Sequence, residues 1–319
     1  MSDLRYNVEL TPPDISAYRA GNTGIDYVTT LTATEPGPHV AVLGLTHGNE
    51  ICGAIAIDKL FRADVRPRRG KLTLGFNNVA AYQEFDARYP IASRYIDEDF
   101  NRLWSPATLD GPRRSSELER ARAIRPIVDA ADYLLDLHSM QYATAPLMLA
   151  GILDKSRALA RQVGIPEIIM CDAGHAAGPR MRDYGGFGDP ASPKAALLIE
   201  AGQHWEKRAA EVATDVTLRF LIALGTVTSE DVAALGGPDF AATPQQKIIE
   251  VTEAVTINGG QFEFIAPYIG LEIIAKQGTV IGHDDGKEVR TPYDNCVLIM
   301  PSRRLIRGQT AVRLGRYVA

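Results

Sequence analysis

Four short segments concentrate residue types able to hold a metal ion, activate water and grip a carboxylate. In GLTHGNE (44–50), His47 and Glu50 stand three apart where an apolar run gives way to a helical pattern. At a strand end that spacing lets an imidazole and a carboxylate meet one ion. A catalytic zinc takes three such protein ligands and keeps a fourth position for water. In DLHS (136–139), His138 ends another apolar run and is the candidate third ligand; Asp136 shares its strand face and can orient the imidazole. SRYIDEDFNRLW (93–104) packs Arg94, Asp97, Asp99, Asn101 and Arg102 into one loop-like stretch. A guanidinium fork grips a carboxylate bidentately, so one arginine can hold a substrate carboxylate while another polarises a carbonyl. Taken alone, the same stretch also reads as a salt-bridged loop with Asp97 and Asp99 as buttresses. Glu200 ends the apolar run LLIEAG (197–202), where an unpaired carboxylate is costly to bury. It is either a general base for activated water or the partner of a loop arginine. His204 follows close behind it, and His175 lies in the Gly-rich DAGHAAGPR (172–180), a loop that can act as a lid over the site or lie in solvent.

The elements that must position these residues follow from hydrophobic period. HVAVLGLTHG (39–48), KLTLGFNN (71–78), YLLDLHS (133–139) and AALLIEAG (195–202) read as buried strands. Helical spacing marks 49–62, 116–131 and 205–224, the second with Ser116 as N-cap and Glu119 three residues on, the third stopped by Gly225. Strands alternating with helices predict an α/β domain with a mostly parallel sheet, whose ligands gather outside the carboxyl ends of the strands. Three of the four strands end in the residues singled out above. After Gly225 the character changes. Turn residues over 229–246 read as a linker, and the short β-branched runs beyond it predict a small all-β domain. The expected division is a catalytic domain over 1–228 and a linker plus β domain over 229–319.

Composition narrows the function class. The 319 residues are 45% hydrophobic and 23% charged, ordinary for a folded globular chain. A formal net charge of -5 gives no reason to expect nucleic acid or an anionic membrane as partner. Cys52, Cys171 and Cys296 are scattered and odd in number, which argues against a disulfide framework and for a reducing compartment. With no signal-like N-terminus and no apolar stretch long enough to span a bilayer, the expected location is the cytoplasm. No lysine stands between Thr291 and Pro301, which removes a swinging-arm carrier from consideration.

Together and in this order, GLTHGNE, RYIDEDFNR, DLHS and IEAG resemble the motifs of the succinylglutamate desuccinylase and aspartoacylase family. The matched motifs run from about residue 39 to 204. The resemblance implies a zinc-carboxypeptidase-like fold, a mixed, mostly parallel sheet flanked by helices, with a small C-terminal β domain of lipoyl-like half-barrel character. It also implies one Zn2+ on His47, Glu50 and His138, Glu200 as catalytic acid/base, Arg94 polarising the carbonyl, and Asn101 and Arg102 on the substrate carboxylate. The expected activity is deacylation of a small N-acyl amino acid, and the expected assembly a homo-oligomer. Two features depart from the family. Members that bind aspartate carry a further arginine shortly before the catalytic glutamate, where this chain has ASPKAALLI; Arg180 or Arg182 is the substitute available, with Arg182 taken as substrate-binding beside His204. The residues after Gly202 are Gln203, His204 and Trp205 instead of a Gly-Pro-rich run. These departures point away from N-acetylaspartate itself. They leave a cyclic or modified amide, a terminal peptide bond, or binding without turnover as rival readings.

Overall fold

The computed structural model describes residues 6–175, 177–234, 240 and 242–318. In chain order the strands are β1 (Val28–Thr32), β2 (Glu35–Gly44), β3 (Arg69–Phe76), β4 (Tyr133–Met140), β5 (Leu147–Leu149), β6 (Ile168–Cys171), β7 (Ala195–Gln203), β8 (Lys247–Thr256), β9 (Phe262–Phe264), β10 (Ile273–Ile274), β11 (Val280–Asp284), β12 (Lys287–Arg290), β13 (Cys296–Ile299) and β14 (Thr310–Val318). The α-helices are α1 (Ile51–Arg62), α2 (Val79–Gln83), α3 (Pro106–Leu109), α4 (Ser116–Ala130), α5 (Asp154–Val163), α6 (Lys207–Ala223) and α7 (Ser229–Ala234).

Among the described residues, eleven strands form one mixed sheet in the order β1-β3-β2-β4-β7-β5-β6-β8-β14-β13-β10. Its heart is parallel: β2 lies between β3 and β4, and β7 pairs with β4. Both faces of these strands are covered, which is why they read as nearly continuous apolar runs. Val40, Val42, Leu135, Leu137, Leu197 and Ile199 face the layer built by α1, α5 and α6. Ala41, Leu43, Leu134 and Ala196 face the opposite layer, built on α4 with Phe100, Trp104 and Tyr184. Gly44 and Gly53 let α1 sit close to the sheet, since a Cβ on Gly44 would lie 3.1 Å from the backbone of Gly53. The antiparallel β5 turns the sheet, β6 runs parallel to β5, and β8 joins β6 in parallel register. The C-terminal strands therefore extend the central sheet, while β9, β11 and β12 form a separate three-stranded sheet.

Two expectations change. The cap of α4 is Ser115, whose side chain accepts from Leu118 N–H; Ser116 is the first helical residue. The stretch predicted as linker begins with α7, closed by a reciprocal cap in which Thr228 and Asp231 each accept from the other's backbone N–H. Residues 235–239 and 241 of that stretch lie outside the described residues. Among the described residues, no helix is long and apolar enough to cross a membrane.

Candidate active site

The parallel register sets the site. His138 on β4 stands beside Glu200 on β7, and Asp136 beside Leu198. Period-2 alternation puts Asp136, His138 and Glu200 on the face shared with Leu134 and Leu198. The other pair enters from the loop after β2. Leu45 adopts φ 59°, an uncommon backbone for a residue with a side chain. The chain then turns through Thr46, His47 and Gly48. A Cβ at Gly48 would collide with the backbone of Ala81 and Tyr82, so only glycine fits there. Gly48 N–H donates to Arg94 O at 3.1 Å, and Trp205 Nε1 donates to Asn49 O at 3.1 Å, fixing the loop from both sides.

His47, Glu50 and His138 converge, with ligand atoms all within 4.8 Å of one another, and all three residues are buried. Glu50 spans the imidazoles: Oε1 lies 2.8 Å from His47 Nδ1 and Oε2 lies 2.8 Å from His138 Nδ1. The remote nitrogens are held by aspartates, His47 Nε2 by Asp99 Oδ1 and His138 Nε2 by Asp136 Oδ2, each at 2.9 Å. Asp99 and Asp136 can only accept, so they orient each ring with Nδ1 turned to the common centre, where Glu50 is the acceptor; Arg94 Nη2 also stands 2.9 Å from His47 Nε2. Thr46 Oγ1 donates to Asp136 Oδ1 at 2.6 Å and is itself bonded by Asn77 at 2.9 Å. Burial alone would raise the Glu50 carboxyl; His47 and His138 outweigh it and hold the group well below the ordinary range. Burial alone would lower His138; Asp136 and Glu50 outweigh it and raise the imidazole well above its ordinary value. The donor set, two Nδ1 atoms and a carboxylate with carboxylate-braced imidazoles behind them, fits a divalent cation of the zinc type.

The arginine loop is pinned by a buried carboxylate. Glu117, in the first turn of α4, accepts the backbone N–H groups of Ile96 (2.6 Å), Asp97 (3.0 Å) and Glu98 (3.2 Å). It also accepts Asn78 Nδ2 at 2.9 Å, and Asp97 Oδ2 accepts Ser116 N–H at 2.7 Å. Thus Asp97 buttresses the helix, whereas Asp99 faces the His47–Glu50–His138 group. Arg94 Nη1 donates to Glu50 Oε1 at 3.1 Å and Nη2 to Asp99 Oδ2 at 3.2 Å. Asn101 Oδ1 accepts Met181 N–H at 2.7 Å, which turns the amide nitrogen inward toward Asp136 at 3.3 Å. Arg102 Nη1 donates to Asn101 O at 2.7 Å, and its nearest carboxylate oxygen, on Asp99, is 4.0 Å away.

Glu200 has no ion-pair partner among the described residues, and its Oε2 is buried with no hydrogen bond. Burial, reinforced by the charge of Glu50, pushes its carboxyl up to about 8. His204 bonds Ser139 Oγ through Nδ1 at 2.8 Å, while its buried Nε2 has no partner among the described residues. Burial pushes this imidazole down to about 3. All of these groups line one cleft of ≈ 530 Å³.

The cleft gathers His47, Glu50, Arg94, Asn101, Arg102, His138, Glu200 and His204. Arg182 is not among its lining residues; its guanidinium is buried against Gly151 and bonds Asp183 at 2.6 Å. The short 3-10 turn over Met181–Asp183 rotates it away, and Arg180 lines the cleft in its place. His175 also reaches the cleft, on a loop so close to Arg102 that a Cβ at Gly178 would strike the Arg102 carbonyl. Sequence reasoning missed the C-terminal contribution: Met300, Arg304, Ile306 and Arg313 complete the wall.

Residues 36–221 match the succinylglutamate desuccinylase/aspartoacylase catalytic domain. A stretch of 115 residues is 33% identical to the N-acyl-aromatic-L-amino acid amidohydrolase (carboxylate-forming) A of Danio rerio, covering 31% of this chain and 32% of that protein. Another of 122 residues is 29% identical to the aspartoacylase of Danio rerio, covering 35% and 36%. The matched stretch thus spans about a third of the length of each curated relative. The fold is similar to succinylglutamate desuccinylase from Vibrio cholerae, with TM-score 0.67 and 17% identity over 91% of this chain and 85% of that one. It is also similar to the product-bound ectoine utilization protein of Ruegeria pomeroyi, with TM-score 0.61 and 16% identity over 93% and 92%.

Proposed function

The chain belongs to the succinylglutamate desuccinylase/aspartoacylase family, and from that premise we propose that it is a zinc-dependent amidohydrolase that deacylates a small carboxylate-bearing N-acyl amino acid, of the N-acyl-aspartate or N-acyl-glutamate kind. The observation that carries the proposal is the pairing of two opposites in one cleft: a fully braced His47–Glu50–His138 cluster and, on the adjacent strand, a buried Glu200 with an unbonded oxygen.

His47, Glu50 and His138 would hold the ion, which when bound supplies a Lewis acid for water and the scissile carbonyl. Glu200 takes the proton of the attacking water and returns it to the departing amine. Its raised proton affinity, about 8, suits a group that must both accept and donate near neutrality. Arg94 sets positive charge beside the carbonyl oxygen as it gains negative charge; such fixed donors are worth about 3 kcal/mol each. Arg102 and the inward amide nitrogen of Asn101 grip the substrate carboxylate. His204 presents Nε2 to the bound substrate, and Arg180 is the arginine of its loop that we assign to the cleft.

The cleft volume and its wall of residues 300–313 suit a small molecule over a peptide chain. Three buried, unpaired cysteines suit the cytoplasm, and sedimentation analysis reads out the homo-oligomer implied by the family. Amine release from a panel of N-acetyl, N-succinyl and aromatic N-acyl amino acids tests the activity directly. The proposal expects release from carboxylate-bearing members that a chelator abolishes. No release from stoichiometrically zinc-loaded protein would overturn it.

A further inference from the structure

Arg313 lies on β14, opposite Ile299 on β13 and Ala254 on β8. It is buried, with 7% of its surface exposed, yet it lines the cleft. Its guanidinium carries five donors in a fixed fork. None of them makes a hydrogen bond among the described residues; the nearest carboxylate oxygen, Asp172 Oδ2, is 3.8 Å from Nε. Asp172 is already taken. Arg180 grips both of its oxygens, at 3.0 and 2.7 Å, and Arg182 Nη1 stands 3.9 Å from the first. Three guanidiniums therefore gather on Asp172 and Asp183, one carboxylate short of balance, and Arg102 adds a further cation on the cleft wall.

Buried charged groups are ordinarily paired and hydrogen-bonded, because desolvation is otherwise uncompensated. Burial and the neighbouring Arg180 push the Arg313 guanidinium down to about 10, so it remains a cation at neutral pH. An alternative partner from the protein would have to come from the cleft wall. Glu200, whose charge also acts on Arg313, has an unbonded oxygen, but no ion pair joins the two among the described residues.

We propose that Arg313, backed by Arg180, forms a second anion subsite that binds a carboxylate of the substrate distinct from the one held by Arg102. The site then selects N-acyl amino acids with two carboxylates, and the selecting residue comes from the last strand of the chain. This rests on the deacylase reading for the identity of the substrate, though not for the existence of the subsite. The second carboxylate can sit on the acyl group or on the amino-acid side chain; both present the same chemistry to the fork.

The test has a binding arm and a kinetic arm, both on full-length, metal-loaded protein. Calorimetry compares glutarate with butyrate, two inert acids that differ in the second carboxylate. Glutarate should bind about 30-fold more tightly, as expected of charge-assisted hydrogen bonds. Arg313→Gln should reduce that ratio to near unity, and Arg313→Lys, which keeps the charge without the fork, should restore part of it. Equal affinity in the wild type, or an undiminished ratio in Arg313→Gln, would overturn the subsite. If Arg313→Gln does not fold, the wild-type ratio and Arg313→Lys decide. The kinetic arm compares kcat/KM for N-acetylaspartate, N-succinylalanine and N-acetylalanine. Preference for the first places the second carboxylate on the amine, preference for the second places it on the acyl group, and preference for neither contradicts the selectivity. Tight glutarate binding with no member hydrolysed would keep the subsite and defeat the deacylase reading.

Discussion

The two walls of the cleft are built on opposite plans. Around Glu50 the side chains hold one another: two imidazoles, two aspartates, a threonine, the amide nitrogen of Asn77 and Arg94 close into one network. On the facing side, among the described residues, Glu200 Oε2 and His204 Nε2 are buried without partners and Arg313 makes no hydrogen bond. Buried polar atoms are normally satisfied, so the contrast separates what the fold completes for itself from what it leaves for a reactant. In the proposed reaction the braced wall would hold the ion, and the unbraced wall is where protons would move and substrate would bind.

Removing one group from each wall separates their roles. Glu200→Gln should lose about a thousandfold in kcat, within the range for a general acid/base, while metal content, read by elemental analysis, stays unchanged. A loss of metal instead would move Glu200 to the other wall. Asp136→Asn attacks the bracing: it should weaken metal affinity about 10- to 100-fold, measured by competition with a chromogenic chelator, with kcat recovering at saturating metal. Arg102→Lys keeps the charge and loses the fork. It should raise KM about tenfold with little change in kcat, the signature of an interaction made before the reaction begins. The smallest effect lies farthest from the chemistry. Ser115→Ala removes the cap of α4, which carries Glu117 and so the arginine loop; it should cost about 1 kcal/mol in urea denaturation and barely alter turnover.

The two walls also differ in how much of them was legible in the sequence. His47, Glu50, His138 and Glu200 stand out because each ends or follows an apolar strand, where a polar side chain needs a reason. Asp136 follows from strand period. Arg313 does not stand out: in TAVRLGRYV an arginine between apolar neighbours reads as the solvent face of a small sheet. Only the pairing of β8 with β6, more than seventy residues apart in sequence, turns that face into the cleft. The two- to four-residue strands β5, β6 and β10 are too short to carry a period. The cap of α4 was misplaced by one residue because two serines adjoin, a usual uncertainty at helix ends. The start of α7, by contrast, had a readable signal in Thr228 and Asp231, the spacing of a reciprocal cap. Arg182 and Arg180 are two apart in an irregular segment, and no periodic rule says which of them a 3-10 turn points inward.

In the proposed reaction, hydrolysis depends on a metal held by His47, Glu50 and His138. Elemental analysis of gently purified wild type beside His138→Ala, with amine release measured on the same samples, tests it most directly. About one zinc per wild-type chain is expected and little in the variant, with turnover lost in proportion. Stoichiometric zinc in His138→Ala, or full turnover in metal-free wild type, would contradict it.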